Sequence, residues 1–101
     1  MSQQVQKGSP LHDLTAFQRD VLVIIENNDQ EEPNGLHLKS ELERFYETKI
    51  HHGRLYPNLD ELVDKGLVYK SSVDGRTNSY SITGRGQREL DSHRSFFDGN
   101  Y

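Results

Sequence analysis

The sequence contains no cysteine and no tryptophan, and it has only three prolines. Without cysteine the chain can form neither disulfides nor thiolate metal sites, and no thiol can sense redox changes. No apolar run approaches the roughly 20 residues that a membrane-spanning helix needs. The N-terminus also lacks the apolar segment of a secretory signal, so we expect a cytoplasmic protein with no membrane partner.

Apolar residues are scarce as well, at 32% of the 101 residues, whereas 28% are charged. A chain of this length and composition is expected to form one domain, with a small core beneath a charged surface. The formal net charge is −4, from 12 basic and 16 acidic side chains. This total argues weakly against nucleic-acid binding, because domains that bind nucleic acid are usually basic.

The charges are nevertheless separated along the chain. Residues 20–47 contain eight acids and two basic side chains, a net charge of −6. Residues 48–58 carry a net charge of +2 with no acid, and residues 65–88 carry a net charge of +4. The positive charge is therefore concentrated in two segments, which are the candidates for contact with a polyanion.

The stretch from Ile50 to Val68 has the pattern of an amphipathic helix that leads into a strand. Its apolar residues recur at i, i+4 and i+7 and so share one face: Leu55, Leu59 and Leu62. The opposite face is polar and carries Arg54, Asn58, Glu61 and Lys65. Gly66 is a stop signal just past the periodic residues. We therefore predict a helix over about residues 52–65.

Two further helices are predicted before this one. The first begins after the candidate N-cap Thr15 and ends near Asn27, with a buried stripe of Phe17, Val21, Ile24 and Ile25. The second covers about residues 36–46, with Leu38, Leu42 and Phe45 facing inward. Leu14 and Leu22 lie off the first stripe and serve either a partner subunit or the edge of the core. The short turn at residues 48–49 joins the second helix to the helix of residues 52–65, and two amphipathic helices joined by a turn of this length match helix-turn-helix geometry.

Two strands and a last helix follow. Residues 67–73 and 78–82 have strand-like composition, and the Asp-Gly of residues 74–77 favours a hairpin turn. The side chains expected to face the core are Leu67, Tyr69, Tyr80 and Ile82. The last helix is predicted from Thr83 to about Phe97, and its terminal Phe96 and Phe97 either meet a partner subunit or pack onto the first helix.

The predicted fold is therefore mostly α with a small β-hairpin wing, that is, a winged helix-turn-helix over residues 14–98. Residues 1–13 are polar and are expected to form a flexible N-terminal arm, with residues 99–101 as a short tail. A third helix whose polar face carries long side chains, followed at once by a hairpin, is typical of winged helices that bind double-stranded DNA.

Several short motifs resemble the PadR family of transcriptional regulators. They are Gly53-Arg54-Leu55-Tyr56-Pro57-Asn58-Leu59, Lys65-Gly66-Leu67-Val68, Gly75-Arg76, Tyr80 and Ile82-Thr83-Gly84-Arg85-Gly86. The Gly-x-Leu-Tyr-Pro core is the most specific of these, and the resemblance spans about residues 14–98. It implies a homodimeric repressor or activator whose third helix enters the major groove. The acidic excess resembles that of proteins from halophilic archaea.

The resemblance also implies roles for individual residues. It places base-reading positions on His51, His52, Arg54 and Asn58, and wing contacts on Lys70 and Arg76. By residue chemistry, Arg54 suits guanine and Asn58 suits adenine, each through two hydrogen bonds. The expected phosphate contacts are Lys49, Lys70, Arg76 and Tyr56, the last of which alternatively packs at the helix edge. Because a single helix follows the wing, dimerisation is expected to involve the first and last helices. The expected dimer contacts are Leu14, Leu22, Leu90, Phe96 and Phe97.

Other functions have less support in the sequence. Among the five histidines, His51 and His52 are adjacent, so on a helix they point about 100° apart, and no acid-rich loop completes a metal-ligand set. No hydrolase or nucleotide-binding motif is present, so neither enzyme activity nor a cofactor is expected. The remaining alternative is a winged helix that binds only other proteins, which an apolar third-helix face would favour.

Overall fold

The computed structural model of the protein describes residues 10–28, 33–72, 75 and 77–100. After a short 3-10 helix (Pro10–Asp13), the elements are α1 (Ala16–Glu26), α2 (Gly35–Tyr46), α3 (His52–Asp64), β1 (Val68–Ser72), β2 (Asn78–Ile82) and α4 (Gly84–Phe97). This is the predicted winged helix-turn-helix. Among these residues no helix is long and apolar enough to cross a bilayer.

Side-chain caps fix the starts of three helices. Thr15 and Gln18 form a capping box in which each side chain accepts a hydrogen bond from the other's backbone N–H at 3.1 Å. Asn34 caps α2, and Thr83 caps α4, by accepting from a backbone N–H in the first turn of each helix. The caps at Thr15 and Thr83 confirm the predicted starts of the first and last helices.

The turn between α2 and α3 is held by Glu43. Its Oε2 accepts from the backbone N–H of Ile50 at 2.9 Å and from Lys39 Nζ at 2.9 Å. The bond from Ile50, followed by that from Lys39, lowers the pKa of the Glu43 carboxyl. Because Ile50 is itself buried in the core, the turn fixes the position at which α3 begins.

The core lies between α1, α2, α3 and the hairpin, with the three leucines of α3 fully buried at its centre. Leu14, Leu22 and Leu90, predicted as dimer contacts, are also buried within the single chain. They pack into the hydrophobic core, so they do not form an exposed partner surface, and this part of the prediction is corrected.

The core also begins earlier than expected. Leu11, in the segment predicted as a flexible arm, is completely buried. Arg19 Nη1 donates to the carbonyl oxygens of Leu11 at 3.4 Å and Leu14 at 3.0 Å, which ties the 3-10 helix to α1. The rest of the predicted arm, residues 1–9, lies outside the described residues, as does residue 101.

Two aromatic residues predicted to face inward lie on the surface. Phe45 is 64% exposed and Tyr69 is 62% exposed. For Tyr69 the cause is the register, in which Val68 pairs with Ile82, and Lys70 pairs with Tyr80. The strand begins at Val68, not at the residue before it, and a shift of one residue exchanges the two faces of a strand. Val68 is therefore the buried side chain of β1.

Contacts made by β2 and by the residue after it join the hairpin to the rest of the chain. The backbone N–H of Tyr80 donates to the carbonyl oxygen of Pro33 at 2.9 Å, and Asn34 forms a bridge with Ser79. After β2, the Thr83 hydroxyl donates to the carbonyl oxygen of Gly66 at 2.7 Å. The hairpin is therefore held in a fixed position relative to α2 and α3. Residue 73 of the predicted first strand and residues 74 and 76 of the predicted turn lie outside the described residues.

A polar contact joins the first and last helices. The Glu26 carboxylate of α1 accepts from Arg94 Nη1 at 3.0 Å and also from the Gln87 side chain, both on α4. The hydrogen bond from Arg94 is the largest cause of the lowered pKa of the Glu26 carboxyl. α4 also approaches the hairpin closely, because a Cβ on Gly86 would overlap the carbonyl oxygen of Leu67.

Replacing Gly86 by alanine is expected to lower the free energy of unfolding by about 1–3 kcal/mol, because the added methyl group meets backbone atoms that cannot rotate away. Gly53→Ala is the matched control, since Gly53 is also helical but a Cβ there would have no heavy atom within 4 Å. We expect that control to raise the free energy of unfolding by about 0.4–1 kcal/mol. Urea denaturation followed by circular dichroism measures both, and equal effects would contradict the close packing of α4.

Candidate nucleic-acid interface

The start of α3 and the turn before it are exposed. Exposed side chains here include Lys49, His51, His52 and Arg54, while the leucines on the other face of α3 are buried. No acid occurs between residues 48 and 59. We call the surface formed by residues 49–54, apart from the buried Ile50, the basic α3 surface. It presents positive charge to solvent in a chain that is acidic overall.

The N-terminus of α3 differs from those of the other helices. His51 is its N-cap residue, but the imidazole makes no capping hydrogen bond, whereas α1, α2 and α4 are all capped. No capping side chain therefore covers the first N–H groups of α3, where the positive end of the helix dipole also lies. Gly53 leaves open space beside this backbone. An anion can approach such a helix end closely.

Arg54 stacks on an aromatic ring of α1. Its guanidinium carbon lies 3.9 Å from the centroid of the Phe17 ring. Among the described residues, the guanidinium makes no hydrogen bond and no ion pair. A cation held over an aromatic ring is attracted to the electron-rich face, and this contact uses none of the five N–H donors of the guanidinium in a hydrogen bond. The Phe17 ring thus holds one side of the Arg54 guanidinium, and the N–H donors stay available for a ligand.

Phe17 is held in place by a cluster of α1 and α2 residues. Its ring is 6% exposed and lies 6.0 Å from the Tyr46 ring. The Tyr46 hydroxyl donates to the Asp20 carboxylate. Burial and this hydrogen bond raise the pKa of Tyr46 to about 12. Tyr46 therefore remains a neutral donor at neutral pH, and the surface beneath Arg54 is anchored to both helices.

Gln18 joins α1 to the polar side of α3. It is 3% exposed, and its Nε2 donates to Asn58 Oδ1 at 2.9 Å and to the Glu61 carboxylate. Asn58 Nδ2 donates to the carbonyl oxygen of Arg54 at 2.6 Å. The oxygen and the nitrogen of the Asn58 amide thus each make one hydrogen bond within the chain, and each keeps one further hydrogen-bonding site. Asn58 therefore has a structural role in joining α1 to α3, and the adenine-reading role stays a prediction.

Tyr56 packs between α2 and the hairpin. Its hydroxyl lies so close to Gly35 that a Cβ there would overlap it. The ring stacks on that of His52, with centroids 5.6 Å apart and an angle of 11° between the planes. This geometry matches the alternative in which Tyr56 packs at the helix edge. It also orients the exposed His52 at the start of α3.

The predicted wing contacts are Lys70 and Arg76. Lys70 lies on β1, and its Nζ is 3.3 Å from Asp60 Oδ1 on α3. Both side chains are partly exposed, so the pair is weak and the lysine can exchange Asp60 for another anion. Arg76 lies outside the described residues. Within the part of the chain that is described, no group of three or more His, Asp or Glu side chains is placed to hold a metal ion.

The end of α4 carries two exposed aromatic rings. Phe96 is 48% exposed and Phe97 is 82% exposed. Phe97 borders a groove of about 470 Å³ between α1 and α4, whose walls include Val23 and Leu90. Of the predicted dimer contacts, only these two phenylalanines lie on the surface of the chain.

The sequence matches a known protein family. The family described as "Transcriptional regulator PadR-like family" matches residues 21–92, which is more than half of the sequence. The chain belongs to the PadR-like family of transcriptional regulators. This family regulates transcription, and the chain is accordingly a regulator and not an enzyme. No curated protein sequence matches the chain.

Solved structures of RosR are similar to this PadR-like chain. The complex of hsRosR-S1 has a TM-score of 0.77 and 45% identity, covering 85% of this chain and 74% of that chain. H. salinarum RosR grown from NaBr has a TM-score of 0.73 and 45% identity, covering 86% and 77%. F93 from STIV, a winged-helix DNA-binding protein, has a TM-score of 0.66 at 19% identity, covering 83% and 90%, and so supports the fold alone.

The structure of this PadR-like chain brings together four of the predicted site residues and adds two that were missed. Lys49, His51, His52 and Arg54 share the basic α3 surface. The missed residues are Phe17 and Gln18, which contact α3 from α1. The Thr-x-x-Gln capping box is readable from sequence and marks Gln18 as a helix-start residue. Its contact with Asn58 spans 40 residues and has no local signal.

Proposed function

We propose that the protein is a sequence-specific DNA-binding transcriptional regulator that acts as a homodimer. In this proposal α3 enters the major groove and the β1–β2 hairpin lies beside the phosphate backbone. The observation that carries it is the basic α3 surface, which is exposed, free of acids and bordered by an uncapped helix end. Recognition helices contact base edges mainly through their N-terminal residues. Because operator DNA lies in the cytoplasm of a prokaryotic cell, we expect the protein to act there.

Each residue of this surface suits a particular contact. Arg54 is the proposed reader of guanine, since a guanidinium donates two hydrogen bonds to O6 and N7. His51 and His52 can donate to a base edge or a phosphate. Lys49 and the backbone N–H groups at the uncapped start of α3 are proposed to hold phosphates and so to set the register. On the wing, Lys70 is proposed to exchange Asp60 for a phosphate, and Arg76 to hold a second one.

The acidic residues do not oppose this arrangement. Asp60, Glu61 and Asp64 lie in the C-terminal half of α3, the end away from the proposed base contacts. Two of them also have partners in the chain, because Asp60 pairs with Lys70 and Glu61 accepts from Gln18. A helix with a basic N-terminal half and an acidic far end therefore remains compatible with insertion into the groove.

The alternative, a winged helix that binds only other proteins, has less support. It requires an apolar outer face on α3. The exposed face instead carries His51, His52 and Arg54, all polar and none acidic. Desolvating these groups against an apolar partner would be costly, whereas a phosphate or a base edge supplies acceptors for them.

A homodimer is supported by the end of α4. Phe97 is the most exposed large apolar side chain at this end, and it borders the groove between α1 and α4. In a two-fold arrangement the last helix of each subunit can fill the groove of its partner. Two α3 helices related in this way would contact inverted half-sites about 34 Å apart, which is one turn of DNA.

Arg54→Ala is expected to cost about 1–3 kcal/mol of binding free energy on the target and to relax preference at one base position. Lys49→Ala is the matched control, because it should weaken all sequences alike and lower the slope of log affinity against log salt by about 1. Selection of bound DNA fragments, followed by anisotropy measurements across a salt series, reads both effects. An unchanged base preference in Arg54→Ala would show that Arg54 does not read sequence.

Phe97→Ala is expected to raise the dissociation constant of the dimer by at least about 10-fold, since a buried aromatic anchor is lost from the interface. Phe45→Ala is the control, because Phe45 is a comparably exposed phenylalanine on α2, at 64% exposure. Sedimentation velocity at several protein concentrations measures the dissociation constants. A dimer that is disturbed by Phe45→Ala and not by Phe97→Ala would move the interface to α2.

A further inference from the structure

We propose that Phe17 is a positioning residue for base reading, because its ring holds the Arg54 guanidinium in the orientation that meets the DNA. The inference rests on the proposed reader role of Arg54. Phe17 belongs to α1 and is nearly buried, so it does not itself reach the nucleic acid. Its contribution would act entirely through the side chain stacked on it.

The stacking geometry explains how a core residue can influence an exposed one. The guanidinium carbon lies 3.9 Å from the ring centroid, so the cation rests on the electron-rich face. That contact uses none of the Arg54 N–H donors in a hydrogen bond, so they remain free for O6 and N7 of guanine. A freely rotating arginine would lose this order and would have to regain it on binding.

Two consecutive residues of α1 fix Arg54 at both ends. Phe17 holds the guanidinium, while Gln18 holds the backbone through Asn58, whose Nδ2 donates to the Arg54 carbonyl oxygen at 2.6 Å. Behind Phe17, the Tyr46 ring and its bond to Asp20 limit the movement of the aromatic ring. α1 thereby fixes both the backbone and the head of the proposed reader.

A merely structural role for Phe17 makes a different prediction. Leucine at this position would still fill most of the core volume, but it has no aromatic face to hold a cation. If Phe17 serves the core alone, Phe17→Leu weakens DNA binding by the same factor whether or not Arg54 is present. If Phe17 positions Arg54, the effect requires Arg54.

A double-mutant cycle separates the two roles. The affinities of the wild type, Phe17→Leu, Arg54→Ala and the double variant are measured by fluorescence anisotropy on the selected target. They are measured again on DNA substituted at the base that Arg54→Ala identifies. We expect Phe17→Leu to weaken target binding by about 2- to 10-fold and to reduce discrimination at that base. In the Arg54→Ala background we expect no further loss.

Ile25→Val is the control variant, since Ile25 is another buried residue of α1 that is not in the cluster around Arg54. It is expected to leave discrimination unchanged in both backgrounds, and circular dichroism checks that every variant is folded. Should Phe17→Leu fail to fold, Tyr46→Phe replaces it. This change removes the hydroxyl that donates to Asp20, so the ring that packs against Phe17 is held less firmly. A smaller loss that again depends on Arg54 is then expected.

The outcomes distinguish this inference from the proposed function. Equal losses from Phe17→Leu (or Tyr46→Phe) with and without Arg54 would overturn the positioning role and leave the reader role of Arg54 intact. No effect of Arg54→Ala on affinity or discrimination would remove the reader role, and the inference would fall with it. A loss that occurs only in the protein that retains Arg54 supports both the reader role of Arg54 and the positioning role of Phe17.

Discussion

The packing of α1 against α3 is the contact on which the rest of the structure depends. Its apolar side buries the leucines of α3, and its polar side is formed by Gln18, which donates to Asn58 and Glu61. Because a helix fixed on one face has no freedom to rotate, this contact decides which residues of α3 face solvent. The basic α3 surface is the direct result, and the stacking of Arg54 on Phe17 belongs to the same interface.

The distribution of charge explains how an acidic chain can present a basic surface. Several acids are occupied with structural bonds, such as Glu43 at the turn before α3 and Glu26 between α1 and α4. Their hydrogen bonds lower the pKa of both carboxyl groups, so these acids stay ionised and paired. Among the described residues, Lys49 and Arg54 at the start of α3 form no hydrogen-bonded ion pair, although the charge of Lys49 contributes to the lowered pKa of the Glu43 carboxyl. The local surface, and not the net charge of −4, therefore determines what α3 can bind.

The order and ends of the elements could be predicted from sequence because their signals are local. Thr15 and Thr83 mark helix starts, and the leucine spacing of α3 marks its buried face. The predictions that failed concerned properties that depend on contacts with other helices and strands. Periodicity shows that Leu22 and Phe45 are apolar positions of helices but not which of them a neighbour covers, and the contact that occupies Asn58 spans 40 residues. A residue's exposure is a property of the packed chain, and so is its availability for DNA.

Amide chemical-shift mapping tests most directly where DNA contacts the protein. The ¹⁵N-labelled chain would be titrated with its selected target and with a scrambled duplex of equal length. The account predicts that the largest target-specific shifts fall on residues 49–54, with small shifts on the acidic face of α2. Largest shifts on α2 or at the end of α4, with residues 49–54 unmoved, would contradict it.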